Sequence, residues 1–479
     1  MFFRMLYDDK LAQAAYLVGC QGTGEAVIID PERDVDRYLE AAAQEGLTIT
    51  AITETHIHAD FLSGARELAE RTGARLYLSD EGDADWKYLW LDKKQGGGSY
   101  DHQLVKDGDA FRIGKVEIKV VHTPGHTPEH ISFLVTDHGS GVSEPMGIAS
   151  GDFVFVGAVG RPDLLETAAG IQGAKEESAR VLFQSIQRFK ELPDYLQLWP
   201  GHGSGSACGK ALGAVPQSTV GYEKRFNTSI QDAGNEAQFV RSVLYGQGEP
   251  PLYFARMKKE NKEGPAILGK MPEPAELRVE DIKKMLRADK VLLDTRTWPE
   301  FVEGHLPGSL FTPLDKSFPT ITGSYVEPGQ PVYLVVEAGR VQEAVTDLIR
   351  IGLDEVVGFV TPETVSRYTA QGNEIQKMRH CNMTDFLDLS KCDGGQILDV
   401  RQPEEYEAGR LPNAINVAHT KLLHRQNEIA KDRTVLVHCH SGLRSAYAAA
   451  LLQSSGYDVI HLDGGFVTWR AANGEIVQK

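Results

Sequence analysis

The chain lacks any apolar run approaching the ~20 residues that cross a bilayer as a helix, so no membrane span is expected. Its amino end, Met1-Phe2-Phe3-Arg4-Met5-Leu6-Tyr7-Asp8-Asp9, turns acidic too early for a secretory leader. Cysteine is scarce: five in 479 residues, at 20, 208, 381, 392 and 439, odd in number and scattered. That fits a reducing, cytoplasmic setting better than a disulfide framework. Positive charge is also short. Lys and Arg number 50 against 67 Asp and Glu, a formal charge of −17. The deficit argues against nucleic acid or an anionic membrane as partner, yet leaves room for local arginines around a small anion. A content of 41% hydrophobic and 24% charged residues is ordinary for globular proteins. The length suits roughly two to four domains, each with its own core.

What the chain does have begins at Thr55-His56-Ile57-His58-Ala59-Asp60-Phe61-Leu62-Ser63-Gly64. The apolar, β-branched stretch before it, Leu47 to Thr53, reads as a buried strand, and Ala65 to Arg71 as a helix. The histidines therefore fall on a loop at the carboxyl end of a strand, where α/β sheets place ligands. Three more strand ends deliver matching side chains. Lys115 to Val121 runs into Thr123-Pro124-Gly125-His126-Thr127, with His122 and His130 on either side. Gly147 to Gly151 runs into Asp152, and Leu196 to Trp199 into Pro200-Gly201-His202. His56, His58, Asp60, His126, Asp152 and His202 are all candidate metal ligands of a kind that suits Zn²⁺ or Fe²⁺. Within them His56, His126 and Asp152 make a two-histidine, one-carboxylate set, the pattern of non-haem Fe(II) oxygenases.

Residues 1–245 read as one α/β domain, and 246–275, rich in Gly, Pro, Lys and Glu, as a linker. An internal repeat follows. Leu293-Asp294-Thr295-Arg296 matches Leu398-Asp399-Val400-Arg401, and Gly304-His305-Leu306-Pro307 matches Gly409-Arg410-Leu411-Pro412, giving copies at 276–377 and 378–479. The copies differ where chemistry would occur. In the second, a strand over 434–438 meets Cys439-His440-Ser441-Gly442-Leu443-Arg444 and then a helix. Backbone N–H groups and the helix dipole there would stabilise a thiolate or a bound anion, and Arg444 would close the loop. In the first copy Val336 stands where Cys439 does, and Arg340 falls one residue short of a loop of that length.

The His56-x-His58-x-Asp60, Thr123-Pro124-Gly125-His126, Gly151-Asp152 and Pro200-Gly201-His202 motifs resemble the metallo-β-lactamase superfamily. Most members continue the first motif with a histidine, which serves a second metal; Phe61 stands there instead. That departure favours the persulfide dioxygenase branch over glyoxalase II, a dinuclear thioester hydrolase. The resemblance implies one Fe(II) per chain on His56, His126 and Asp152, with His58, Asp60 and His202 orienting ligands and moving protons. It also implies that Arg161 helps hold a thiol carrier. Asp399-x-Arg401, the Cys439 loop and Leu462-Asp463-Gly464-Gly465-x3-Trp469 resemble a rhodanese domain, with Cys439 and Arg444 catalytic and His440, Ser441, Gly442 and Leu443 lining the substrate loop. The first copy then resembles an inactive rhodanese.

The whole order is similar to bacterial persulfide dioxygenase–sulfurtransferase fusions. It implies an αββα sandwich followed by two rhodanese-like α/β domains. A low-molecular-weight persulfide, O₂, sulfite and thiosulfate would be its small-molecule partners, and a homo-oligomer its assembly. The carrier thiol stays open among glutathione, coenzyme A, bacillithiol and cysteine, as does the role of Cys208. Two other readings remain: a thioester hydrolase with a sulfurtransferase attached, and a non-enzymatic sulfane-sulfur carrier or sensor.

Overall fold

The computed structural model describes residues 1–479 apart from 168–172, 211, 288, 391–394, 473 and 479. Cys392 lies outside the described residues. The chain forms two compact units, Met1–Met271 and Pro272–Lys479.

The first unit carries two six-stranded sheets. One orders β1 (Phe2–Asp8), β2 (Gln13–Cys20), β3 (Glu25–Ile29), β4 (Thr48–Thr53), β5 (Arg75–Ser79) and β6 (His102–Val105) side by side, antiparallel through β3 and parallel beyond. The other orders β7 (Ala110–Ile113), β8 (Val116–His122), β9 (Ile131–Asp137), β10 (Gly147–Gly151), β11 (Gln197–Pro200) and β12 (Ser218–Thr219), with β10 and β11 parallel.

The side-chain period of two explains why β3 reads as one continuous apolar run. Val27 and Ile29 join the core between the sheets, with Ile118, Phe133 and Trp199 from the second sheet. Ala26 and Ile28 join another core under α1 (Asp36–Gln44) and α2 (Ala65–Thr72). On the far side, α3 (Ala174–Glu191) and α4 (Glu236–Leu244) cover the second sheet through Leu182, Ile186, Phe189 and Phe239. The layers are therefore helix, sheet, sheet, helix.

The stretch expected to be a linker holds an 11-residue helix, α5 (Tyr253–Glu263), inside the first unit. Tyr253, Phe254, Met257 and Asn261 share its buried side at helical spacing. Burying that stripe stabilises the helix on the domain; Lys259 and Glu263 face solvent, while the Lys258 ammonium packs over the Trp86 ring. The boundary between units falls at Met271, beyond this helix.

The second unit repeats one topology twice. Its sheets are wholly parallel, ordered β13-β17-β16-β14-β15 and β18-β22-β21-β19-β20. The first comprises β13 (Ala275–Glu276), β14 (Val291–Asp294), β15 (Ser309–Phe311), β16 (Val332–Val335) and β17 (Val356–Val360). The second comprises β18 (His380–Cys381), β19 (Gly395–Asp399), β20 (Ile415–Asn416), β21 (Thr434–His438) and β22 (Val459–Leu462). In the first copy α6 (Trp298–Glu303) follows β14 and α7 (Val341–Arg350) follows the loop after β16. In the second, α8 (Pro403–Ala408) follows β19 and α9 (Leu443–Ser454) follows the loop after β21. Among the described residues, no helix is long and apolar enough to cross a membrane.

Candidate metal centre and cysteine loop

The four strand ends singled out in the sequence meet at one rim of the sandwich. His56, His58 and Asp60 follow β4, His126 lies between β8 and β9, Asp152 follows β10, and His202 follows β11. All six are at most 4% exposed. Two groups form. His56, His126 and Asp152 bring one ligand atom each within 4.8 Å of one another, and so do Asp60, His202 and Cys208. Asp152 joins them: its Oδ2 lies 3.4 Å from His126 Nε2 and 3.9 Å from His56 Nε2, and its Oδ1 lies 3.5 Å from His202 Nε2.

The hydrogen-bond partners decide which ring nitrogens can ligate. A carbonyl only accepts. So His126 Nδ1–H donates to the Arg161 carbonyl at 3.0 Å and His202 Nδ1–H to the Ala12 carbonyl at 3.1 Å. Thr55 Oγ1–H donates to Asp30 Oδ2 at 2.9 Å, which leaves the Thr55 oxygen to accept from His56 Nδ1–H at 3.0 Å. Three Nε2 atoms thus face the cluster; burial would lower His202, but Asp152 and Asp60 outweigh it and raise its pKa, so His202 is the one of the three that can keep a proton there. Burial, together with the neighbouring imidazoles, holds His56 well below the usual histidine range, and burial lowers His126 too, so both rings are neutral donors.

His58 differs. Its Nε2–H donates to Asp30 Oδ1 at 3.1 Å. Burial alone would lower its pKa, but Asp30, Glu54 and Asp60 outweigh burial and raise it to about 9. The Phe61 ring, fully buried, packs on His58 with centroids 4.4 Å apart.

Asp60 and Asp152 supply the charge argument. Both oxygens of each are buried without a hydrogen-bond partner. Uncompensated buried carboxylates are costly, and a cation among neutral imidazole lone pairs removes that cost. The donor set therefore fits a divalent metal. The backbone leaves little slack around it: a Cβ on Gly201 would stand 2.7 Å from Asp152 Oδ1.

His130, which the sequence sets beside the His126 motif, supports the cluster: its Nε2 accepts the Asp152 N–H at 3.0 Å, while its Nδ1 meets Thr123 Oγ1 at 2.8 Å. Two further supporting residues escaped the sequence reading. Glu129 Oε1 accepts the Ile57 N–H at 2.8 Å. Asn261 of α5 donates to the His58 and Phe61 carbonyls at 2.8 and 2.7 Å and accepts the Ser63 N–H at 2.9 Å, clasping the histidine loop. Nothing near Asn261 in sequence marks that role.

Arg161, expected to help hold a thiol carrier, lies in the loop that follows Asp152. Its guanidinium is 4% exposed and engaged by Asp163 at 3.0 and 2.7 Å, Ala207 O at 3.1 Å and Gly248 O at 2.7 Å. It braces the loop whose carbonyl fixes His126. Cys208 is buried beside Asp60 and His202, and burial with the two aspartates pushes its thiol well up.

In the second unit, Cys439 is buried at the end of β21. Gly442 N–H donates to its Sγ at 3.1 Å from the position just before α9, where Gly442 has φ 106°, a conformation that favours glycine. His440, Ser441 and Leu443 are exposed at the loop mouth. Arg444, expected to close the loop, stands at its far end on the first turn of α9. It forms a bidentate pair with Glu405 of α8, at 2.5 and 2.8 Å. Asp399 and Arg401 are a structural brace: the guanidinium pairs with Asp399 and donates to the Gly409 carbonyl at 2.8 Å, as Arg296 does with Asp294 and the Gly304 carbonyl at 3.0 Å. In the first copy Val336 is buried, and Arg340 turns to Glu343 and the Leu314 carbonyl.

A buried His/Asp cluster at the strand ends of an αββα sandwich, with a cysteine loop opening a helix in a second unit, sets the class: a sandwich with a metal-type donor set, followed by doubled parallel-sheet domains. The metallo-beta-lactamase superfamily description matches residues 8–202, and the rhodanese-like domain description matches 278–361 and 382–472. A solved structure described as a metallo-beta-lactamase from Staphylococcus aureus subsp. aureus COL is 41% identical, with TM-score 0.67, over 76% of this chain and 99% of that one. The chain belongs to the metallo-β-lactamase superfamily, in a form that carries rhodanese-like domains behind the sandwich.

Among curated proteins, a beta-lactamase hydrolase-like protein of Xylella fastidiosa is 30% identical over 56% of this chain and 61% of its own length. A hydroxyacylglutathione hydrolase of Rhodospirillum rubrum is 31% identical over 39% of this chain and 60% of its own length. The chain spans about three fifths of the length of these curated relatives.

Proposed function

We propose that the first unit oxidises a low-molecular-weight thiol persulfide and that the second moves sulfane sulfur through Cys439. In the first reaction R–S–SH, O₂ and water give R–SH, sulfite and two protons. In the second, the Cys439 thiolate takes the outer sulfur of a persulfide; the S–S bond breaks and the thiol leaves with the electron pair. Sulfite then attacks the terminal sulfur of the Cys439 persulfide, forming thiosulfate and returning the thiolate.

The observation that carries this reading is the donor set of His56, His126 and Asp152: two bare imidazole nitrogens and one partnerless carboxylate, with a phenyl ring at position 61. A ferrous ion held there supplies the redox chemistry of O₂. The chain's own residues do the rest. Thr55, Arg161 and Ala12 fix ring orientation through Nδ1. Asp60 and His202, 3.2 Å apart, hold a proton between them at the rim. Phe61 and the buried walls keep bulk water off the reacting sulfur.

The Asp60, His202 and Cys208 group favours a second reading, a dinuclear thioester hydrolase, because Cys208 could replace the ligand that Phe61 removes. One experiment separates the two. Iron-loaded chain is placed in an oxygen electrode with the persulfides of glutathione, coenzyme A, bacillithiol and cysteine, and its metal is counted. Oxygen uptake with one iron per chain is expected. Two metals per chain, thioester cleavage and no oxygen uptake would overturn the dioxygenase.

A further inference from the structure

The cysteine-less copy touches the chemistry of the other through a short chain of contacts. Ser445, in the first turn of α9, is fully buried. Its Oγ lies 3.4 Å from Cys439 Sγ, 2.9 Å from the Gly442 carbonyl and 3.0 Å from His461 Nε2. His461, on β22, is also buried, and its Nε2 lies 2.9 Å from the same Gly442 carbonyl. A carbonyl only accepts, so this ring carries its proton on Nε2 and presents it to both Gly442 O and Ser445 Oγ. That leaves Ser445 as a donor. Of its two acceptors, a Cys439 thiolate is the charged one, and charge-assisted hydrogen bonds are the stronger kind. The Gly442 carbonyl keeps the imidazole N–H, so it is satisfied either way.

The opposite side of His461 is closed by the first copy. Trp298, the first residue of α6, meets the His461 ring edge-to-face with centroids 4.9 Å apart. Trp298 is itself held by Phe301 and Phe311 of its own copy, at 5.9 and 5.0 Å. Two further contacts fasten the copies along α9: Ser317 Oγ meets Tyr447 Oη at 2.8 Å, and His305 Nε2 meets Gln453 Oε1 at 2.9 Å.

We propose that Ser445 and His461 are positioning residues for the Cys439 sulfur, and that Trp298 of the cysteine-less copy holds His461 in place. The first copy then completes the sulfur-transfer loop of the second. The assignment rests on the reading of Cys439 as the sulfur carrier, but its test reads the thiol itself. Other groups face this region: Arg444 with Glu405, Tyr447 and the buried His438 around Cys439, and Asp463, 3.3 Å from His461 Nδ1. None is changed by the variants below.

The experiment is the rate of Cys439 alkylation by iodoacetamide against pH in the full chain. It is read by mass spectrometry on the Cys439 peptide so that the other cysteines do not enter. Ser445→Ala and His461→Gln should each move the inflection up by about one pH unit and slow alkylation near neutrality about tenfold. Ser445→Thr, which keeps the hydroxyl, should restore the wild-type curve. Trp298→Ala should move the inflection the same way by a smaller step, and Trp298→Phe should recover it. Circular dichroism checks that each variant is folded. An unchanged inflection in folded Ser445→Ala overturns the proposal, since the hydroxyl would then serve only the Gly442 carbonyl. A Trp298→Ala chain that melts earlier but keeps the inflection overturns the part given to the first copy. A chain that alkylates as expected yet moves no sulfur from thiosulfate to cyanide keeps these positions and removes the carrier reading instead.

Discussion

Asp152 is the residue on which the first site turns. One oxygen faces His56 and His126 and the other faces His202, and neither has a hydrogen-bond donor. Asp152→Ala should therefore release the metal, because two imidazoles alone hold a divalent ion weakly at neutral pH. Metal analysis after dialysis checks this; retained metal would put the ligand elsewhere. Gly201→Ala should act more mildly, about tenfold in metal affinity, by pushing on the carboxylate without removing it. In the second unit, His419 gives a pH prediction. Burial and then Arg444 lower its pKa to about 3, against an ordinary histidine value of 6.5. Between those values the unfolded chain binds a proton that the folded chain refuses, so stability falls as pH drops through the window. Going from pH 7 to pH 5, His419→Gln should gain on the wild type by about 2 kcal/mol, read as relative unfolding midpoints. A difference that does not change with pH would mean that the buried ring is already charged.

At the scale of elements, the helix α5 and the loop it clasps make the sharpest case. Asn261→Ala leaves two carbonyls and one N–H without their partner inside the protein, a cost of about 2–4 kcal/mol. It should lower both the melting temperature and metal affinity, although Asn261 touches no ligand side chain. If only the melting temperature moved, α5 would be packing and nothing more. This element also shows the limit of reading the chain alone. Strand β4, the histidine loop, the four strand ends and the doubled sheet were legible because each carries local periodicity or a short motif. Helix α5 was not, because its apolar stripe is interrupted by charges and flanked by prolines. Its value lies in a contact some 200 residues away in sequence. The same holds for the partners of Arg161 and Arg444: an arginine at the right spacing announces an anion, but not the carboxylates of the same chain, Asp163 and Glu405, that pair with it here. Repeat symmetry was legible down to Val336, and Val336→Cys should not create sulfur transfer. That loop is one residue shorter, and Arg340 is committed to Glu343. Sulfane sulfur found on that cysteine by mass spectrometry would show otherwise.

For the whole molecule, two sites in two units imply two separable losses. Cys439→Ser keeps side-chain size but removes the nucleophile, since a hydroxyl stays protonated where a thiol ionises. That variant should take up oxygen with a persulfide at near wild-type rate, while its product shifts from thiosulfate to free sulfite. His56→Ala should stop oxygen uptake and leave sulfur exchange between thiosulfate and a thiol intact. Oxygen uptake beside chromatography of derivatised sulfite and thiosulfate reads both. Loss of uptake in a folded, metal-loaded Cys439→Ser chain would make Cys439 a feeder of the first site rather than a consumer of its product. The replacement of the loop cysteine by Val336 in one copy has a kinetic corollary. If Cys439 carries sulfur as proposed, two such loops with one loop cysteine make a single-berth carrier: the sulfur aboard must leave before another can board. Donor and acceptor should then alternate, giving parallel lines in double-reciprocal plots, and an acceptor-starved chain should stall after one equivalent.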